Sequence, residues 1–280
     1  MVDWSSSLDL VNAVLDVSEH AIGFKLFRVL YGLLLGLFML GYAGLPSAVW
    51  GAEAIWERRG FAAHRLRPFG LFDILPERTA GIAAIVLGLA SAALLVFSQL
   101  PAGYLFLPIW VSLCTLQGRN AFLCYGGDDA FRLLALAFLL DFSKQTTPAS
   151  LVLAQVLMLS IYWNTVIYKL REPVWQRGEA LYGFAKMSMV SRIRPALFWD
   201  RRIVYRTLTY ASLAVELLIA PLLLFQQTAV IGCVLAIGFH AILHLLFRIH
   251  LFQPIMICGL AVFPTDGSYR QLGQWLGLCD

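Results

Sequence analysis

Charge is what this chain has least of. Lys, Arg, Asp and Glu make up 14% of its 280 residues and hydrophobic residues 60%, whereas a soluble domain carries roughly 25% charged residues. Mean hydropathy is +0.75. These values exclude an ordinary soluble domain and define an integral membrane protein. The formal net charge of +4 resides in the stretches between apolar runs rather than in one basic stripe, which argues against a nucleic-acid partner. The chain also lacks CxxC pairs and an HExxH motif, so neither a cysteine framework nor a metalloprotease site is expected, and no metal is expected. Five scattered cysteines remain, most in apolar runs; Cys114 and Cys124 are near enough to pair or to stay free. There is no low-complexity linker, no clear internal repeat and no basic leader of the signal-peptide type.

What is present is a series of long apolar runs. Crossing a hydrocarbon core takes about 20 residues of helix. Residues 26–44, 80–98, 103–117, 150–168, 204–225 and 229–247 meet or approach that length, and 130–142 and 251–263 are shorter. The expected fold is an all-α integral membrane protein: one multi-span bundle of about eight helices filling residues 1–280. Residues 1–23 place Leu8, Val11 and Leu15 at helical spacing, consistent with an N-terminal helix lying on the bilayer or in solvent. Two long connections, 45–79 and 169–203, hold Trp50, Trp56, Trp175 and Trp199 and are expected to contain interfacial helices. The distribution of Lys and Arg favours a cytoplasmic position for these connections, with both termini outside.

Ionisable groups inside apolar runs are costly and draw attention first. Glu216 lies within "YASLAVELLIAPLLLF", as a functional carboxylate or one bonded to a neighbouring helix. His240 and His244 are one turn apart and share a helix face, a spacing that suits either a metal or hydrogen bonds between spans. Asp128 and Asp129 follow two glycines before a short apolar run, where they can cap a helix or take up a proton or ion. Lys169 ends the run "IYWNTVIYKLREPVW", one position round the helix from Asn164 and Tyr168, with Trp175 beyond the break at Pro173. A lysine there can snorkel to the lipid surface, or act as a base if an apolar pocket holds it.

Five segments, taken in order, resemble a known family. They are "FRVLYGLLLG", "NAFLCYGGDDAFRLLALAF", "IYWNTVIYKLREPVWQRGEALY", "LTYASLAVELLIAPLLLF" and "GFHAILHLLFRIHLFQPIMICGLAVFP". Together they look like the membrane domain of vitamin K-dependent gamma-carboxylases, the HTTM (horizontally transferred transmembrane) domain, which also occurs alone in small bacterial proteins. The resemblance implies a multi-pass protein of a bacterial cytoplasmic membrane, in contact with the lipid bilayer. It implies an enzyme in which Lys169 is the base, with Glu216, His240, Asp128 and Asp129 in the same catalytic cavity. Asn164, Tyr168, Trp175 and His244 would then bind a reduced quinone, as cofactor or lipid-soluble substrate.

Two departures from the carboxylases carry weight. They have Asn-His where this chain has Asp128 and Asp129, and they carry a large soluble domain that holds a propeptide, whereas this chain stops soon after its last apolar run. The short SdpB-type proteins, which help mature small secreted peptide toxins, are similar too and suit the length. For that branch the expected partner is a small secreted peptide, and no chemistry is required.

Overall fold

The computed structural model describes residues 20–44, 70–119, 126–139, 141–142, 148–187, 190–192, 202–248, 251–275 and 277. Eleven α-helices form among them: α1 (Ala21–Ala43), α2 (Glu77–Phe97), α3 (Ala102–Arg119), α4 (Gly126–Ala137), α5 (Pro148–Arg171), α6 (Pro173–Gln176), α7 (Ala180–Lys186), α8 (Arg202–Leu224), α9 (Gln226–Leu246), α10 (Phe252–Gly259) and α11 (Asp266–Trp275). Short 3-10 turns occupy Leu71–Asp73 and Leu260–Val262, and no β-strand forms among the described residues. Each of the eight apolar runs read from the sequence becomes a helix. Among the described residues, five stretches are long and apolar enough to cross a membrane: Ala21–Ala43, Arg78–Phe97, Ala149–Arg171, Arg202–Leu224 and Gln226–Leu246. Ala102–Gln117 and Phe252–Val262 are apolar but shorter.

The chain divides into two compact units, Met1–Ala154 and Gln155–Asp280, with the boundary inside α5. The expected surface helix at the N-terminus lies, up to residue 19, outside the described residues, as do Trp50, Trp56, Trp199 and Cys124. Cys114 is a buried free thiol.

In the first unit, α1 packs on α2, α2 on α3 and α3 on α4. Aromatic rings fill the space between them. Phe27, Tyr31, Phe106, Phe131 and Phe138 are fully buried, with centroids 5.3 Å apart for Phe27 and Phe138 and 5.1 Å for Tyr31 and Phe131. The Tyr31 hydroxyl donates to the Phe131 carbonyl at 2.8 Å, so its polar end is satisfied within the apolar core. Gly32 lets α1 and α2 come close, because a Cβ there would lie 2.9 Å from the Ala92 carbonyl oxygen. Arg28, a cation near the start of α1, donates to the Ser98 and Leu100 carbonyls just past the end of α2. Those carbonyls gain a charged donor where the helix has run out of its own.

In the second unit, α8 and α9 form a tight hairpin. Thr228 donates to the Leu222 carbonyl at 2.8 Å, and Gly232 keeps the chains close, since its Cβ would meet the Leu222 backbone at 3.1 Å. Pro221 sits inside α8, as Pro108 does inside α3; such breaks are tolerated where neighbouring groups take up the freed carbonyl. Helix α5 stops at Arg171 because Pro173 disfavours helical geometry in the residue before it. Gly178 then turns the chain at φ +70°, and α7 packs along α8. Trp175, Ala180, Leu181, Ala185, Tyr205 and Phe247 make a buried apolar cluster. A short antiparallel bridge, Ser191 to Phe247, ties the segment after α7 to the end of α9. Its backbone bonds run from Arg248 N–H to the Val190 carbonyl and from Arg192 N–H to the Leu246 carbonyl.

Candidate functional site

Helix α5 brings a polar row to the second unit. Gln155, Tyr162 and Lys169 recur every seven residues, which in an α-helix returns to nearly the same face. Each is bonded to a different element. Gln155 donates from Nε2 to the Val262 carbonyl at 2.8 Å, in the 3-10 turn after α10. The Tyr162 hydroxyl lies 2.8 Å from His240 Nε2 on α9. Lys169 Nζ stands 2.5 Å from Glu216 Oε1 on α8.

The Lys169–Glu216 pair is well enclosed. The two side chains are 16% and 6% exposed, and Lys169 Nζ also lies 4.5 Å from the centre of the Trp175 indole ring. Trp175 is therefore a cation–π partner packed into the apolar cluster. The sequence reading expected it in a connection bearing interfacial helices; α6, which carries it, is a single turn that covers the lysine. Glu216 Oε2 is buried and has no hydrogen-bond partner. One oxygen of the carboxylate is thus matched by the ammonium, and the other faces an unmet demand for a donor.

His240 is also spoken for on both sides. Its Nδ1 is hydrogen-bonded to Gln253 Oε1 on α10, and its Nε2 to Tyr162. With the Gln253 oxygen facing the ring, Nδ1 carries the proton and Nε2 accepts from the tyrosine hydroxyl. Tyr162, His240 and Gln253 are 3%, 2% and 1% exposed, so this chain of bonds lies in the interior of its unit. His244, one turn further along α9, is half-buried, and its buried Nδ1 has no hydrogen-bond partner. Among the described residues, no three His, Cys, Asp or Glu side chains gather closely enough to hold a metal ion.

Asn164 and Tyr168 are exposed, on a different face of α5 from Tyr162, Val166 and Lys169. Asp129 belongs to the first unit, where it pairs with Arg132 at 2.8 Å across one turn of α4. Asp128 is in the first turn of the same helix, with its side chain outside the described set. Tyr162, Gln155 and Gln253 had drawn no attention in the sequence. The signal for the first two was their heptad spacing with Lys169; Gln253 had only its place as a polar residue in an apolar stretch.

A chain with five membrane-length helices, and with an acid and a base paired between two of them, is a multi-pass membrane protein with a polar site inside its helical body. The HTTM domain family model matches residues 129–266, a segment that holds α5 to α10 and every residue of the two bonded groups above. Residues 129–266 therefore match an HTTM domain, and the membrane-length helices fit a membrane protein of that type. Comparisons with curated proteins and with solved structures find no match.

Proposed function

We propose that this protein is a membrane-embedded enzyme in which Lys169 accepts a proton from a lipid-soluble substrate with an acidic hydroxyl, of the reduced-quinone class, while Glu216 stabilises the charge. The observation that carries this reading is the enclosed Lys169–Glu216 pair with its one unmatched carboxylate oxygen. A buried pair is a weak source of stability compared with apolar packing of similar volume, so its presence between spans asks for another reason.

The residues present fit such a molecule. Glu216 Oε2 is an acceptor without a donor, and a substrate hydroxyl would supply one. A reduced quinone, when bound, brings two acidic hydroxyls and two transferable electrons. In the resting ion pair Lys169 is the ammonium; it first gives that proton up to water at the membrane surface, and as the free amine it then takes the substrate's proton, which restores the ammonium against Glu216 Oε1 and the Trp175 ring. The buried apolar cluster around Trp175 keeps water from competing for that proton. The likeness of the "YKLREPVW" segment to the carboxylase motif supports the same assignment for Lys169.

The test uses the purified protein in lipid nanodiscs with a reduced naphthoquinone, followed by oxygen uptake. Wild-type protein should accelerate oxidation of the quinol, and Lys169→Arg, which keeps a cation beside Glu216, should abolish the acceleration while inserting and purifying normally. Full activity in both Lys169→Ala and Lys169→Arg would remove the base assignment. It would leave the non-catalytic reading, a maturation factor for a small secreted peptide.

A further inference from the structure

Tyr162, the α5 member of the Tyr162–His240–Gln253 chain, shares a helix face with Lys169, and among the described residues no hydrogen bond joins that chain to Lys169 or Glu216. Its place in the unit suggests what it does. Tyr162 and Lys169 are seven residues apart on α5, so they lie about two turns, or about 10 Å, apart along one side of the helix. A roll of α5 that carried Tyr162 off His240 would swing Lys169 away from Glu216 by the same angle. Lysine has a long, flexible stem and cannot fix its own direction. Tyrosine is rigid and its hydroxyl has one buried partner, so it can.

From this geometry we infer that Tyr162, His240 and Gln253 are positioning residues: together they key the rotation of α5, and so hold the Lys169 amine against Glu216. His240 then has no free ring nitrogen for substrate, because Tyr162 and Gln253 occupy both. Gln253 sets the ring. Its oxygen holds the Nδ1 proton, leaving Nε2 as the acceptor that the tyrosine hydroxyl needs. Gln155, seven residues before Tyr162, adds a third point of attachment on the same row through the Val262 carbonyl. Met158, fully buried on α5, packs against Gly259, filling the space where a Cβ on that glycine would sit, and makes no bond in the polar row.

The inference concerns how Lys169 is held and is tested on that amine directly, apart from any reaction. Protein in nanodiscs is treated with a membrane-permeant amine reagent, and modification of Lys169 is followed by peptide mass spectrometry. Glu216→Gln, which removes the pairing oxygen's charge, sets the level for a released amine. Tyr162→Phe and Gln253→Leu should raise Lys169 labelling several-fold towards that level. Gln253→Glu keeps an acceptor for Nδ1 and should restore labelling to near that of wild type. Met158→Ala loosens α5 without touching the polar row and should change labelling little.

Wild-type labelling in both Tyr162→Phe and Gln253→Leu overturns the proposal, and so does an equal rise in Met158→Ala. Should Tyr162→Phe fail to insert, the contrast between Gln253→Leu and Gln253→Glu decides alone: a rise in the first with none in the second supports the key, and equal labelling overturns it. The inference gives the proposed base its orientation, yet the two fail separately. A labelling pattern as expected with no quinol oxidation by wild type leaves the key standing and removes the substrate class.

Discussion

Lys169 on α5 and Glu216 on α8 form an ion pair across 47 residues of sequence, 2.5 Å between Nζ and Oε1, with the second carboxylate oxygen buried and unmatched. Removing one member leaves the other charge enclosed and alone, which costs about 3–5 kcal/mol in comparable buried pairs. Replacing both with apolar groups of similar size avoids that cost. Lys169→Met and Glu216→Leu should therefore each destabilise the protein strongly, and the double variant should recover most of the loss. Reversible unfolding in mixed micelles, run as a double-mutant cycle, reads the coupling. Additive single effects would show that the two charges do not depend on each other.

Trp175 covers the same ammonium, at 4.5 Å from ring centre to Nζ. An enclosed cation–π contact of this kind contributes about 2 kcal/mol, and tryptophan is its best donor ring. Trp175→Phe should keep part of the contact and most of the packing, whereas Trp175→Leu keeps packing alone. Labelling of the Lys169 amine should rise in the order wild type, Trp175→Phe, Trp175→Leu. Equal labelling in all three would mean that the indole fills space in the apolar cluster and does nothing for the charge.

The helices were legible in the sequence because crossing the bilayer demands long apolar runs, and each apolar run read there, the shorter ones included, became a helix. The pairing of those helices was not. Asn164 and Tyr168 looked like one face of α5 beside Lys169, and they do share a face; it is exposed. A membrane helix is apolar on every side, so hydrophobic periodicity does not say which side turns inward. The inward side is marked instead by sparse polar residues at heptad spacing, and Gln155, Tyr162 and Lys169 are those marks on α5. Glu216 stood out as a charge in an apolar run, and only the resemblance of the ordered segments, not their spacing, put it in one cavity with Lys169. That link depends on how α5 and α8 meet, which is a property of tertiary packing.

Gly178 turns the chain between α6 and α7 with φ +70°, and a Cβ there would lie 2.5 Å from Arg206 Cγ and 3.1 Å from the Tyr210 ring. The same turn is pinned by the Tyr210 hydroxyl, which donates to the Gln176 carbonyl at 2.8 Å. Gly178→Ala meets both the left-handed backbone cost of about 1–2 kcal/mol and the crowding of a ring that is already committed. It should lower the unfolding midpoint and loosen α6, so that Trp175 fluorescence in a variant retaining only that tryptophan shifts to the red. An unchanged midpoint would show that Arg206 and Tyr210 move aside freely.

In the first unit, Gly32 tests whether α1 and α2 owe their close approach to a missing side chain. Its Cβ would sit 2.9 Å from the Ala92 carbonyl oxygen and 3.1 Å from Leu95 Cβ, both rigid parts of α2. Gly32→Leu must push the helices apart, and overpacking of this kind costs about 1–3 kcal/mol. The thermal midpoint of the detergent-solubilised protein should fall accordingly. Because the rigid neighbour is backbone, Gly32→Ala should already show part of the effect, and a neutral Gly32→Leu would mean that the two helices are not held at that distance.

Lys169→Arg separates holding a charge from moving a proton. Arginine keeps a cation for Glu216 and a planar face for Trp175, so the variant should stay close to wild type in unfolding midpoint. A guanidinium does not give up its proton under ordinary conditions, however, and so cannot become the free base that the proposed chemistry requires. The expected result is a stable protein that no longer accelerates oxidation of a reduced naphthoquinone. If instead Lys169→Arg were active and stable while Lys169→Ala was neither, the lysine would be needed for its charge alone, and the proton would have to be taken by another group.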